Sequence, residues 1–189
     1  FKNIKLDTSR WIIKEFVKTS KSVDTNLSKY LFHEIANDIY HFVWHTFCDW
    51  YIEFIKSDLK NKNKLEETKI VSGWLLGQIL KIIHPIMPFL SEKLWQTLFN
   101  QDKFLMLEKL EQFNVPDVYS LSVDKIKIVI NIISAVRNLR SELNIPYKKE
   151  IDLFFNVKDK NILSFLNSFE DEIMRLLKIN LISYKNIKN

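Results

Sequence analysis

The apolar positions of the chain recur at helical spacing over most of its 189 residues. Asp7, Thr8 and Ser9 are suited to cap a helix, and Trp11, Ile12, Phe16 and Val17 follow, so a first helix is expected to begin near Ser9. A second, from about Phe32 to Lys56, carries Tyr40, Trp44, Phe47 and Tyr51 on one side and Phe32, Ile39, Val43, Trp50 and Phe54 on others. Apolar over most of its circumference, it reads as the central helix of a bundle. What remains is an acidic stripe of Glu34, Asp38, His45, Asp49 and Glu53, and Lys60 to Lys64 follow as a solvated basic connection. A third helix, Leu65 to Ile83, buries Ile70, Trp74, Leu75, Ile79, Ile82 and Ile83, and Pro85 ends it because the residue before proline is driven out of the helical region. Ser91 is expected to cap a short fourth helix through Leu94, Trp95 and Leu98, and Asn100 to Ser120 read as a long loop with one helical turn. A fifth helix, about Val123 to Leu143, turns Ile126, Val129, Ile130, Ile133, Val136 and Leu143 inward and Arg137 and Arg140 outward, and Asn144-Ile145-Pro146 stops it. Strand signals at Ile151 to Val157 and Ile179 to Tyr184 flank a helical stretch, Asn161 to Leu177.

The expected fold is therefore mainly α: an antiparallel helical bundle, residues 1–146, with a small β-α-β C-terminal appendage, residues 147–189, packed on it. Trp44, Trp50, Pro85, Pro88, Phe89 and Trp95 are expected to be substantially buried. Composition agrees with helices, since only two glycines and four prolines leave little punctuation for a many-turned β protein. A lone cysteine, Cys48, excludes an internal disulfide and a multi-cysteine zinc site and fits a reducing cytoplasm. The most apolar run, Ile39 to Ile55, is broken by His41, His45, Asp49 and Glu53, so neither a signal peptide nor a membrane span is expected. The start at Phe1 without a methionine implies a piece of a longer protein.

Chemical candidates are few. His41, His45 and Cys48 at i, i+4 and i+7 could face a metal, but Phe42 stands where the metalloprotease pattern needs glutamate, and a half-buried helix with a His45–Asp49 pair accounts for them; no metal is expected. Gly73 and Gly77 lie inside a helical pattern and form no phosphate loop; their spacing is expected to let a neighbouring helix approach closely. No nucleophile elbow is present, and no catalytic residue is assigned. Charge is more informative. With a net charge of +5, the first thirty positions carry Lys2, Lys5, Arg10, Lys14, Lys18, Lys21 and Lys29, and Arg10, Lys14, Lys18 and Lys21 fall along one helical line. Such a stripe can track a phosphate backbone or be a solvated outer face, and composition leaves both open. Arg137 and Arg140 could likewise grip phosphate or pair with Glu142.

Three stretches in order carry a resemblance: "SRWI" at 9–12, "YHFVWHTFCDWYIE" at 40–53 and "IIHPIMPFLSEKLW" at 82–95, followed by "AVRNLRSELNIP" at 135–146. They resemble the anticodon-binding domain of valyl-tRNA synthetases, in which Asp-Arg-Trp-Ile opens a helix, Phe-Cys-Asp-Trp-Tyr marks the next, and His-Pro-x-Met-Pro-Phe precedes Glu-x-Leu-Trp. The likeness runs from about Ser9 to Ile187; Ser9 replaces the usual aspartate, and the loop from Asn100 to Ser120 lacks a common Trp-Pro. Lys18-Thr19-Ser20-Lys21-Ser22 is one letter from the ATP-gripping lysine loop of class I synthetases. In that family the loop precedes the Arg-Trp-Ile helix, whereas these residues follow it, so the match is a coincidence. The resemblance implies a non-catalytic module that binds the anticodon arm of a valine tRNA, and the charge pattern offers Arg10, Lys14, Lys18, Lys21, Arg137 and Arg140 as the expected contacts. Its cytoplasmic parent would ligate valine with ATP and magnesium in domains outside this chain; no cofactor is expected here. The alternative is a helical protein-interaction scaffold that binds no RNA.

Overall fold

The structure, a computed structural model, describes residues 4–99, 103–157 and 160–184. Lys2 of the basic cluster, the first residues of the expected 100–120 loop, and Ile187 at the end of the family likeness lie outside the described residues. The chain is mainly α and divides into two compact units, Phe1–Val123 and Asp124–Asn189, with the division falling inside a helix.

In the first unit, α1 spans Asp7–Ser28. It starts without a side-chain cap: the extended Leu6 stands at the cap position, and Glu67 accepts from the backbone N–H of Lys5 (3.0 Å) and Leu6 (2.8 Å). Thr8 and Ser9 are buried within the first turn, which corrects their reading as caps. Thr8 Oγ1 instead donates to the buried Asp58 (3.3 Å), whose charge is offset by Lys64 at 2.8 Å. With glycine scarce, Tyr30 takes the left-handed position after α1 (φ 57°), and Leu31 N–H closes onto the Asn26 carbonyl at 2.9 Å.

The predicted central helix is continuous but not uniform: α2 (Phe32–Tyr40) passes into a π-helical segment (His41–Tyr51) and then α3 (Ile52–Asp58). Wider π turns change which residues share a side, so the face expected from α spacing splits. Phe42, Tyr51 and Phe54 are buried, Trp50 is half-buried, and Tyr40 and Trp44 point outward, with Trp44 55% exposed. Phe16 of α1 meets Phe42 edge-on with ring centroids 5.6 Å apart. α4 (Lys62–Ile83) adds Val71, Leu75, Ile79 and Ile82 to this core, and Trp74 meets Phe16 at 5.6 Å. Ile70 was expected inside but is exposed, because its side of α4 is uncovered in this unit.

α5 (Pro88–Phe99) begins at Pro88, whose missing N–H costs nothing at a helix start. Ser91 lies inside the helix: its hydroxyl donates to the Met87 carbonyl (2.8 Å), which leaves the oxygen to accept from His84 Nδ1 at 2.8 Å. The expected burial of the proline corner is corrected as well. Pro85 and Pro88 are exposed and Phe89 is 90% exposed, whereas Trp95 is 7% exposed, packed with Leu80, Leu105 and Phe99. A Cβ on Gly77 would sit at ordinary contact distance, 3.5 Å, from the Phe99 ring, and one on Gly73 would meet nothing within 4 Å, so neither glycine is required by a close approach. One 3-10 turn, Leu105–Leu107, marks the following loop.

α6 (Tyr119–Glu142) begins earlier than its period suggests and carries the chain into the second unit. There Ile126, Val129, Ile133 and Val136 are buried, while Leu143, expected inside, is exposed beyond the helix end. Asn144 takes a left-handed turn (φ 50°), and Ile145 N–H closes onto the Arg140 carbonyl at 2.8 Å. β1 (Ile151–Phe155) and β2 (Ile179–Tyr184) pair in parallel, joined by a crossover through α7 (Lys160–Ser168) and α8 (Glu170–Leu177). The expected single helix between the strands is broken at Phe169, whose buried ring anchors the joint.

Candidate nucleic-acid interface

Residues 18–22 lie in the interior of α1, a helix of 22 residues. Backbone N–H groups there are taken up by the helix ladder, so the segment cannot cradle phosphates as a loop or helix start does. Only side chains are on offer. Lys18 and Lys21 are exposed, Thr19 is half-buried, Ser20 is buried, and Ser22 donates to Asp38 Oδ2 at 2.6 Å.

The basic line on α1 is not one surface. Arg10 is half-buried: its Nε donates to the Ile4 carbonyl (2.8 Å), and its guanidinium carbon stands 5.6 Å from the centre of the Tyr119 ring. Lys14, also half-buried, donates to Ser120 Oγ. These two cations fasten α1 to the start of α6. Lys18 shares a cleft of about 190 Å³ with Glu15, Asp38, His41 and Thr46. Lys21 borders a pocket shared with Asp24 and Glu111. The field along the line is therefore mixed, and the sequence reading, which set the basic line and the acidic stripe on separate helices, missed that the fold brings Lys18 and Asp38 together. Local periodicity could not show this. Asp38 also accepts from Asn26 at 3.0 Å, a bond formed across the α1–α2 turn.

In the second unit, Arg137 is exposed, but Arg140 is only 5% exposed. Its guanidinium donates to the carbonyls of Leu177 (2.6 Å), Pro146 (3.1 Å), Tyr147 (3.3 Å) and Lys149. The expectation that Arg140 lies on the outside is thereby corrected: its fork of donors is used to tie the end of α6 to the strand connections.

His41 and His45 have ring centroids 5.4 Å apart, and His45 Nδ1 stands 3.1 Å from Asp49 Oδ2, the pair expected from i,i+4 spacing. Burial and then the Asp49 charge push the Cys48 thiol up, away from thiolate. Among the described residues no group of three or more histidine, cysteine, aspartate or glutamate side chains is placed to hold a metal ion. No helix among them is long and apolar enough to cross a membrane.

The model of the anticodon-binding domain of tRNA ligases matches residues 9–155. The chain belongs to this family. It is 37% identical over 179 residues to the valine–tRNA ligase of Zymomonas mobilis, covering 92% of this chain and 20% of that protein. The valine–tRNA ligase of Rhizorhabdus wittichii is 38% identical over 144 residues, covering 75% of this chain and 16% of that protein. That of Staphylococcus haemolyticus is 35% identical over 167 residues, with 87% and 19% covered. The chain thus spans about a fifth of the length of these relatives.

Proposed function

We propose that the chain is the part of a valine–tRNA ligase that holds the anticodon arm of its tRNA. The observation that carries this reading is the family match over residues 9–155 together with valine–tRNA ligases as relatives across most of the chain. The parent would join valine to tRNA in the cytoplasm with ATP and magnesium, in domains outside these residues, and this segment contributes binding and no bond chemistry.

Within the basic set, Lys18 and Lys21 are proposed as the phosphate contacts on α1, because they are exposed and their ammonium groups are not tied to another element. Arg137 is proposed in the same role on α6. Arg10 and Lys14 would add to the local potential while keeping α1 fastened, and Arg140 is left out because it is buried and its two terminal nitrogens are engaged by backbone carbonyls. Contacts of this kind position an RNA stem without reading its sequence, and bases of the single-stranded loop are the part that can be read. We keep in this reading the division into an RNA-binding bundle, 1–146, and an appendage, 147–189; a chain ending at Pro146 should retain RNA affinity if that division is functional.

The test is an electrophoretic titration of the chain with valine tRNA and with an unrelated tRNA. The reading expects binding of both at low salt and tighter binding of valine tRNA. Absence of binding to either would leave the chain as an interaction scaffold.

A further inference from the structure

An apolar groove lies in the first unit. One wall is α2 and the start of the π-helical segment, with Ile39, Tyr40, Val43 and Trp44; the other is the end of α4 and its turn, with Ile83 and Met87. It encloses about 360 Å³. Tyr40 and Trp44 lie parallel (5° between planes, centroids 6.4 Å apart), and both are more than half exposed. A continuous apolar surface of this kind on a soluble unit marks a contact surface.

We propose that this groove seats a helix supplied by the part of the longer ligase that lies outside these 189 residues, an inference that rests on reading the chain as a segment of such a protein. The walls determine the shape of the occupant. One wall is helical and the other is the end of α4 with its turn, where the N–H groups of Ile86 and Met87 close onto the Ile83 carbonyl (2.9 and 3.0 Å), so an added strand would find no free edge to pair with. On the helical wall Ala36, Ile39, Tyr40 and Val43 stand at i, i+3, i+4 and i+7 steps, a ridge against which another helix packs, and Ile83, Ile86 and Met87 of the α4 end and its turn close the other side. The lining also determines the chemistry. It holds no Lys or Arg, and a groove for single-stranded RNA needs cations beside its stacking rings. The ring neighbours of Tyr40 besides Trp44 are His41 and His45, neither a Lys nor an Arg. Tethering decides between the same chain and a second copy. The relatives are about five times as long as the matched segment, and a covalently linked helix is present at an effective concentration near millimolar, which a separate protomer does not reach.

The experiment is thiol labelling of a single reporter. In a Cys48→Ser background, Met87→Cys is alkylated with a neutral maleimide in the 189-residue chain and in the full-length ligase, without RNA. The proposal expects rapid labelling of the chain at every protein concentration, and labelling at least about tenfold slower in the full-length protein, where the site must open first. Equal rates in the two proteins would overturn it. So would protection in the short chain that grows with its own concentration, which assigns the groove to a second copy, or protection of the ligase only when tRNA is added, which assigns it to RNA. Ile86→Cys, half-exposed at the rim, repeats the test if Met87→Cys does not fold. The readout needs no RNA affinity, so a failure here is separable from a failure of the anticodon-arm reading.

Discussion

Trp95 and Trp44 have the same sequence credentials and opposite fates. Each lies on a predicted helix among apolar neighbours, yet Trp95 is closed over by Leu80, Leu105 and Phe99, while Trp44 stands beside Tyr40 in an open groove. The difference lies in cover. Leu80 of α4 and the Leu105 turn close over one indole, and no described residue does so over the other. The cations repeat the contrast. Arg10, Lys14 and Arg140 are spent on holding elements together, and Lys18 and Lys21 are left at the surface. Residue type proposes a role; prior commitment to the fold decides it.

The largest expected effect breaks the buried side of this comparison. Trp95→Ala should cost about 3–5 kcal/mol, the loss for a large buried aromatic, and also releases the Lys81 ammonium that stands 5.7 Å from the ring centre. Chemical denaturation measures it, and a loss under about 1 kcal/mol would mean that the indole is not closed over.

Next in size is an alkaline effect in the same interior. Burial pushes the Tyr51 phenol from 10 up to about 12; its bond to Ser72 lowers it in part, and Asp58 and Glu67 raise it further. The folded chain thus keeps a proton that the unfolded chain releases. Its contribution, about 2–3 kcal/mol, is full below about pH 10 and lost as pH rises through about 12. Melting from pH 9 to 12 should fall more steeply for the natural chain than for Tyr51→Phe; parallel curves would count against the burial.

The smallest effect belongs to the open groove. Trp44→Ala should cost the 189-residue chain about 1–2 kcal/mol, less than either change above, since more than half of the residue stays in water on folding. In the full-length ligase the same substitution should cost more, and equal costs in both proteins would weaken the proposed docking.

Much of this was legible in the sequence. The order of the helical stretches, the stop before Pro85 and the two strands follow from periodicity and turn residues, and the quoted stretches carry the family likeness. Burial was less legible, because a helical period says which residues share a face but not whether another element covers it; Ile70, Leu143 and Phe89 were misplaced for that reason. The π segment was invisible, since nothing in His41–Tyr51 departs from α spacing. Of the candidate site, the line of four cations was readable. That Arg10 and Lys14 answer to Ile4, Tyr119 and Ser120, and that Lys18 lies beside Asp38, depends on long-range packing.

The central claim is that the exposed Lys18 and Lys21 meet RNA phosphates and that Lys14, committed to Ser120, does not. It is tested most directly by the salt dependence of tRNA affinity for Lys18→Gln/Lys21→Gln beside Lys14→Gln. Removing one or two phosphate contacts should lower affinity for valine and unrelated tRNA alike and reduce the slope of log affinity against log salt by about 0.9 per contact on a duplex stem, with melting unchanged. Lys14→Gln should instead lower the melting temperature and leave the slope near that of the natural chain. An unaltered slope and affinity in the double variant, with binding otherwise intact, would assign both lysines to a solvated face and contradict the account.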